Sequence, residues 1–317
     1  MNLVDSYIDY IKGVKRYSER TCELYRGILE DFAKYLEAED MSITDGMKPL
    51  IIRNYEVHLL DRRKLGKRTV GLHVSALSSF AKYLNRQGIL QSNPVKGVSR
   101  PKTDKLLPVF YREESMESYF KRSILYGSED ALCLLSGKNA VKEYENILRR
   151  LIIRILFLTG IRRSELISLR KDSLDRSRGL LTIHGKGDKQ RVVPAVPELI
   201  REISLYLRSQ NALGIKSESD ALLLTPKGNP LYPEYVDRAI KKELGEEESI
   251  TCRKSAHVLR HTIATELLND GAQLNSIKEM LGHASLAATQ VYTHNSVEKL
   301  KNTYISAHPL CQGSKKR

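Results

Sequence analysis

A polar, proline-bearing and basic segment divides this chain into two parts. It runs from Asn93-Pro94 to Lys105 and follows a region in which apolar residues recur at helical spacing. Such segments are typical of linkers between domains, and 317 residues exceed the usual size of one small hydrophobic core. We therefore expect a first domain at residues 1–98, a linker at residues 99–107 and a second domain at residues 108–317.

The first hundred residues have the pattern of helices only. Ser18 is a suitable N-cap for a helix, a second helix begins near Pro49, and a third carries apolar residues from Val70 to Leu84. The third helix should end near Gly88, where a left-handed cap is expected. The apolar face of the first of these helices comprises Leu24, Ile28, Leu29, Phe32 and Leu36.

The second part has the pattern of a mainly helical domain with a small β-sheet. Strands at Leu180–Ile183 and Arg191–Pro194 flank the glycine-rich turn Gly185–Lys189, which predicts a hairpin. A third short strand is expected at Ala221–Leu224. The apolar run Leu151–Leu158 is too short to span a membrane and includes an arginine, so it predicts a buried helix.

The charge of the chain favours a polyanionic partner. The sequence has 52 Lys and Arg against 38 Asp and Glu, a formal net charge of +14. Such a field attracts phosphates and releases their counterions, although ribosomal, membrane-surface and heparin-binding proteins share it. Four basic residues of the third helix could be solvated charges or could follow a DNA backbone; they are Lys67, Arg68, Lys82 and Arg86.

The cysteines and the N-terminus favour a cytoplasmic protein. Cys22, Cys133, Cys252 and Cys311 are far apart, without the close pairs of a zinc site or a thioredoxin-like motif. The first residues lack the basic start and apolar run of a signal peptide. No segment approaches the ~20 apolar residues of a membrane span.

Six residues could together cut and rejoin a phosphodiester without a metal. A planar guanidinium can donate to two phosphate oxygens at once, and a tyrosine hydroxyl can attack phosphorus and conserve the broken bond as a phosphotyrosine ester. Lysine and histidine can move the protons, which contributes about 10² to 10⁴ in rate for a well-placed group. The six are Arg162, Lys186, His257, Arg260, His283 and Tyr292.

Each of these residues also has a structural interpretation. His257 and His261 have the spacing of two zinc ligands on a helix, but no glutamate lies between them and no third ligand is evident, so no metal is expected. Tyr292 is one of 16 tyrosines, and only its distance from His283 distinguishes it. The argument for function is that all six residues occur in one ordered set.

The motifs around these residues resemble the signature of the tyrosine site-specific recombinases in order and spacing. They are Thr159–Leu166, Gly185–Gly187, His257–His261, Leu281–His283 and Tyr292. The resemblance covers nearly the whole chain. It implies that the N-terminal helices form a SAM-like core-binding domain that clamps DNA, and that the rest forms the catalytic domain.

The resemblance also implies a role for each site residue. Arg162 and Arg260 would hold the scissile phosphate while Tyr292 attacks it, giving a 3′-phosphotyrosyl intermediate without any cofactor. Lys186 would protonate the leaving 5′-oxygen. His257 would assist proton transfer, His283 would hydrogen-bond a non-bridging oxygen, and Glu165 would be an acidic partner for the histidines.

Within that family, the C-terminal segments resemble those of the Xer-type recombinases. They are Thr289–His294, Ser296–Lys301 and Ala307–Pro309. This implies homo- or hetero-tetramers on double-stranded DNA with two recombination sites, and a role in resolving chromosome or plasmid dimers before cell division. A sister recombinase or an accessory protein could take part. An integrase, transposon recombinase or invertase of a mobile element, and a non-catalytic DNA-binding protein of the same fold, are the alternatives.

Overall fold

The computed structural model describes residues 2–99, 109–122, 139–185 and 190–282. The chain divides into two compact units, Met1–Leu106 and Leu107–Arg317. The predicted linker at residues 99–107 lies outside the described residues except for Ser99, so its conformation stays a prediction.

All the regular secondary structure in the described part of the N-terminal unit is helical. Its elements are α1 (Leu3–Gly13), α2 (Glu19–Glu37), α3 (Pro49–Val57), a π-helical turn (His58–Arg62), α4 (Lys67–Arg86) and a 3₁₀ turn (Pro94–Gly97). Three predicted boundaries are confirmed: the Ser18 hydroxyl accepts the Thr21 N–H at 3.4 Å, α3 begins at Pro49, and Gly88 has a φ of +74°. The prediction for Leu24 is wrong, because its side chain lies on the solvent side of α2 and is 44% exposed.

The C-terminal unit is built around one buried helix, α6. Its helices are α5 (Glu113–Arg122), α6 (Ala140–Thr159), α7 (Arg163–Ile167), α8 (Pro197–Ala212), α9 (Pro233–Glu243), α10 (Ala256–Asn269) and α11 (Leu274–Leu281), with 3₁₀ turns at Lys171–Ser173 and Leu244–Glu246. Helix α6 packs against α8, α9 and α10. The predicted burial of Leu151–Leu158 is confirmed; Arg154 within this run forms an ion pair with Glu202 on α8 at 2.8 Å.

Among the described residues of this unit, the sheet has three antiparallel strands in the order β1-β2-β3. They are β1 (Leu174–Asp175), β2 (Leu180–His184) and β3 (Gln190–Pro194), and Thr182 pairs with Val192. The predicted hairpin is therefore confirmed. The strand predicted at Ala221–Leu224 is wrong, because this apolar run forms only isolated bridges, between Ala221 and Arg170 at one end and between Leu224 and Pro230 at the other.

Four chain segments of the C-terminal unit meet at one place. Helix α6 ends at Gly160, which has a left-handed φ of +60°, and α7 begins directly after Arg162. Helix α11 packs against α10 and against β3, and it ends at Gly282, with a φ of +65°. Two helix ends, one helix start and one strand therefore meet beside Arg162 and Arg260, two of the predicted site residues. Among the described residues, no helix is both long and apolar enough to cross a membrane.

Candidate active site

Arg162 lies at the N-terminus of α7 with a partly exposed side chain. Its Nη2 donates to the Gly282 carbonyl at 3.0 Å, and its Nη1 donates to Glu165 Oε1 at 2.8 Å. The backbone N–H of Arg162 donates to Glu165 Oε2 at 2.8 Å, so Glu165 also caps the start of α7. The side chain is 44% exposed, which leaves this guanidinium accessible to an anion.

Arg260 lies on α10 and is buried beside Arg162. Its Nη1 donates to the Gly160 carbonyl at 2.7 Å and its Nη2 to the Leu281 carbonyl at 2.6 Å. Burial, and then the nearby charges of Arg162 and Arg191, lower the pKa of Arg260 to about 10. The group therefore remains protonated at neutral pH, although other cations lie close to it.

Arg191, on β3, completes this group of arginines, and the sequence reasoning missed it. Its Nη1 and Nη2 donate to Glu165 Oε1 and Oε2 at 2.9 and 2.8 Å, and its Nε donates to the Met280 carbonyl at 2.9 Å. One signal could have found it: Arg191 alternates with Val193 on the buried face of the strand, and a buried charge requires an acidic partner.

The three arginines bind three successive carbonyls at the C-terminal end of α11. Arg191 binds that of Met280, Arg260 that of Leu281 and Arg162 that of Gly282. The last carbonyls of a helix lack partners within the helix and carry partial negative charge, so cations stabilise them. The arginines thereby fix the end of α11, and the next residue in the chain is the predicted site residue His283.

Glu165 is ionised, and each of its carboxylate oxygens accepts two hydrogen bonds. Burial raises its pKa, but the hydrogen bonds from Arg191 and from the backbone N–H of Arg162, with the charge of Arg191, outweigh burial and lower the pKa to about 2. The family resemblance suggested that this carboxylate would serve the histidines. Within the described ranges, its hydrogen-bond partners are Arg162 and Arg191.

His257 lies one helical turn before Arg260 on α10. Its Nε2 is 2.9 Å from Nε2 of His261, so one ring donates and the other accepts, depending on the tautomer. Partial burial, followed by the charges of His261, Arg260 and Arg253, lowers the pKa of His257. His257 is therefore neutral at pH 7 and can accept a proton.

The structure thus brings Arg162 and Arg260 together and places His257 on the same helix as Arg260. Lys186, His283 and Tyr292 lie outside the described residues, so their positions and roles stay predictions. No group of three or more His, Cys, Asp or Glu side chains in the described ranges could hold a metal ion.

Two family models match this chain. The model described as "Phage integrase family" matches residues 136–299, and the one described as "Phage integrase, N-terminal SAM-like domain" matches residues 4–88. The first match covers the described arginine group and also the predicted residues Lys186, His283 and Tyr292.

Curated relatives match over nearly the whole chain. Tyrosine recombinase XerC of Bacillus pumilus (strain SAFR-032) is 37% identical, over 97% of this chain and 96% of its own length. Tyrosine recombinase XerC of Bacillus licheniformis is 35% identical, over 99% of this chain and 98% of its own length.

Solved structures of low sequence identity share the fold. XerH site-specific recombinase bound to a palindromic difH substrate, in a post-cleavage complex, has a TM-score of 0.68 at 20% identity, over 94% of this chain and 83% of that chain. The Tn1549 transposon integrase in complex with transposon right end DNA has a TM-score of 0.65 at 19% identity, over 94% of this chain and 98% of that chain.

Proposed function

Since this chain belongs to the phage integrase family and is a tyrosine recombinase, we propose that it cleaves and rejoins DNA at specific sites through a 3′-phosphotyrosyl intermediate. The observation that carries the proposal is the convergence of Arg162 and Arg260 on neighbouring carbonyls, those of Gly282 and Leu281. Arg191 lies beside them, and Glu165 accepts hydrogen bonds from Arg162 and Arg191, so the group of three arginines keeps an excess of positive charge. A local excess of fixed positive charge is what a phosphodiester needs in order to accept a nucleophile.

In the cleavage step, Arg162 and Arg260 bind the non-bridging oxygens and balance the charge that develops on them. The Tyr292 oxygen attacks phosphorus, so a bond from phosphorus to the tyrosine oxygen forms while the bond to the 5′-oxygen breaks. Lys186 protonates the leaving 5′-oxygen, and neutral His257 assists proton transfer at the tyrosine. His283 donates a hydrogen bond to a non-bridging oxygen.

In the rejoining step, a 5′-hydroxyl from the partner strand attacks the phosphotyrosine. The new phosphodiester forms as the bond to Tyr292 breaks, and the tyrosine recovers its proton. The number of phosphoester bonds is unchanged, so the reaction requires no external energy source. The site as assigned needs neither a metal nor another cofactor.

We further propose that the chain acts in the cytoplasm on two copies of a double-stranded site, as a tetramer of like subunits or with a sister recombinase. Resolution of chromosome or plasmid dimers is the proposed role, because the XerC relatives match at 31–37% identity over almost the whole chain. Integration of a mobile element is the second candidate, supported by the fold shared with the Tn1549 transposon integrase.

The test is covalent capture of DNA. A duplex site is first selected from a random-sequence pool by binding to the purified chain, and nicks at successive positions then prevent rejoining. The wild-type chain should form an adduct that resists SDS, and Tyr292→Phe should form none. Tyr232→Phe is the matched control, because Tyr232 is an exposed tyrosine whose hydroxyl accepts from Arg238. An adduct that persists in Tyr292→Phe would contradict the assignment.

The assigned role of Lys186 has its own test on the same site. Lys186→Ala should cleave slowly, and a 5′-thiol leaving group should restore the rate, because a thiolate leaves without protonation. A variant that stays slow on the thiol substrate would show that Lys186 serves only in binding.

A further inference from the structure

We propose that Arg191 is a positioning residue for the recombination reaction: it holds Glu165, and through Glu165 it fixes Arg162 on the scissile phosphate. This role rests on the proposed function, because it concerns the same phosphate. The residue lies on β3, outside the six positions that carry the family resemblance.

The contacts of Glu165 show how Arg191 acts through it. Each carboxylate oxygen of Glu165 accepts one hydrogen bond from Arg191 and one from Arg162. All four distances are 2.8 or 2.9 Å. The position of the carboxylate therefore depends on Arg191, and the position of Arg162 depends on the carboxylate.

Arg191 and Arg162 differ in burial, and this difference indicates different roles. The side chains of Arg191 and Glu165 are 9% and 5% exposed, whereas that of Arg162 is partly exposed. Nη1 and Nη2 of Arg191 donate to Glu165, and its Nε donates to the Met280 carbonyl. All three side-chain nitrogens of Arg191 therefore have partners within the protein. Arg162 is thus placed to touch DNA, and Arg191 supports it from inside the protein.

Charge gives Arg191 a second effect on Arg162. A lone carboxylate at 2.8 Å would neutralise Arg162 and weaken its attraction for a phosphate. The bidentate pair with Arg191 balances that carboxylate, so Arg162 keeps a net positive charge for an external anion. Loss of Arg191 should therefore leave Glu165 less firmly held and reduce the net positive charge that Arg162 offers to a phosphate.

Arg191→Met tests the role, because methionine fills similar space without charge or donors. Adduct formation is measured in a single turnover at saturating protein, together with the Kd for the selected site and the thermal midpoint. The rate should fall about 100-fold, as expected for a misplaced catalytic group, while the Kd changes less than about 3-fold. The matched control is Arg154→Met, which breaks the Arg154–Glu202 pair on α6 and α8. It should lower the thermal midpoint and leave the cleavage rate within about 2-fold of wild type.

Coupling to Glu165 distinguishes positioning from general support of the fold. Glu165→Gln should slow cleavage. The double variant with Arg191→Met should be no more than about 3-fold slower than the slower single variant, because Arg191 acts on Arg162 through Glu165. A methylphosphonate at the scissile position removes a charged oxygen that Arg162 would balance. On that substrate the deficit of Arg191→Met should shrink to about 10-fold or less.

The outcomes separate this proposal from the one it rests on. A wild-type chain that forms no adduct contradicts the proposed function, and the role of Arg191 falls with it. A wild-type chain that forms the adduct, with Arg191→Met within about 3-fold of its rate, overturns only the role of Arg191. Additive effects in the double variant, or an unchanged deficit on the methylphosphonate, also overturn it.

Should Arg191→Met fail to fold, Arg191→Lys takes its place. Lysine keeps the charge but lacks the fork, so a loss of about 10-fold is expected and a wild-type rate overturns the role.

Discussion

The C-terminal unit contains two clusters of arginine and glutamate, each with buried members, that differ in how many hydrogen bonds their carboxylates accept. The site cluster comprises Arg162, Glu165, Arg191 and Arg260. The scaffold cluster comprises Arg149, Arg150, Arg154, Glu202 and Glu243, on helices α6, α8 and α9. Hydrogen bonds in the site cluster lower the pKa of Glu165 to about 2, whereas burial raises the pKa of both Glu202 and Glu243.

The difference lies in the number and geometry of hydrogen bonds. Both oxygens of Glu165 accept two hydrogen bonds each, whereas Oε2 of Glu202 has no partner among the described residues. The scaffold cluster connects helices, and ion pairs of 2.8–3.8 Å to Glu202 suffice for that purpose. A buried charge by itself is therefore poor evidence for function, and a saturated carboxylate that holds an exposed arginine is better evidence.

The largest expected effect comes from removing a site arginine. Arg260→Ala should lower the single-turnover cleavage rate about 10³-fold, because it deletes a preorganised donor to the developing charge. Arg154→Ala in the scaffold cluster should leave the rate of the folded protein nearly unchanged. Adduct formation on the selected site measures both. Equal losses in the two variants would remove the distinction between the clusters.

Glu266 on α10 extends the comparison to an acid without any arginine. It is buried, and neither carboxyl oxygen has a hydrogen-bond partner among the described residues. Burial, and then the negative charges of Glu113, Asp270 and Glu117, raise the pKa of Glu266 to about 8. The unfolded carboxyl ionises near its ordinary pKa while the folded one stays neutral. The free energy of unfolding should therefore fall as pH rises from about 4.5 to 8, by about 3 kcal/mol at pH 7.

Glu266→Gln should remove this pH dependence. The thermal midpoint of the variant should exceed that of wild type more at pH 8 than at pH 5. The pH dependence that Glu165 gives to the free energy of unfolding has the opposite sign. The stabilisation from Glu165 is complete above about pH 4.5 and is lost as pH falls toward 2. A gain for Glu266→Gln that is equal at both pH values would contradict the assigned protonation.

A smaller effect is expected where α11 ends. Gly282 has a φ of +65°, and a Cβ there would lie 3.1 Å from the Arg191 side chain. Gly282→Ala should therefore destabilise the fold by about 1 kcal/mol and slow cleavage about 10-fold by displacing Arg191. Gly245→Ala is the matched control beside the scaffold cluster, because a Cβ there meets nothing within 4 Å. Wild-type cleavage in Gly282→Ala would show that the Arg191 contact tolerates displacement.

Local patterns predicted most of the fold, and contacts distant in sequence account for what was missed. The Ser18 cap, the start of α3 at Pro49 and the β2–β3 hairpin follow from residues close together in the chain. The prediction of a strand at Ala221–Leu224 is wrong because backbone pairing, and not apolar content, decides whether a run of residues forms a strand. The structure brings together Arg162 and Arg260, which the sequence selected by motif alone.

The partner of Arg191 could not be identified from the sequence, since Glu165 lies 26 residues away. Alternation along β3 indicates a charge on the buried face at Arg191, but it does not identify the acid that binds this charge. The roles of Lys186, His283 and Tyr292 stay predictions, because these residues lie outside the described ranges.

The smallest expected effect concerns the histidine pair at the edge of the site cluster. His261→Asn removes one of the charges that lower the pKa of His257, so that pKa should rise toward its ordinary value. NMR titration of the His257 ring protons measures the change. An unchanged titration would show that burial, Arg260 and Arg253 keep His257 neutral without His261.

A structure of the Tyr292→Phe variant bound to its selected duplex tests the central claim most directly. The account predicts one backbone phosphate with non-bridging oxygens about 3 Å from the guanidinium nitrogens of both Arg162 and Arg260. It also predicts that the substituted aromatic ring at position 292 faces that phosphorus and that Arg191 still holds Glu165. Two different phosphates on the two arginines, or a phosphate bound directly by Arg191, would contradict it.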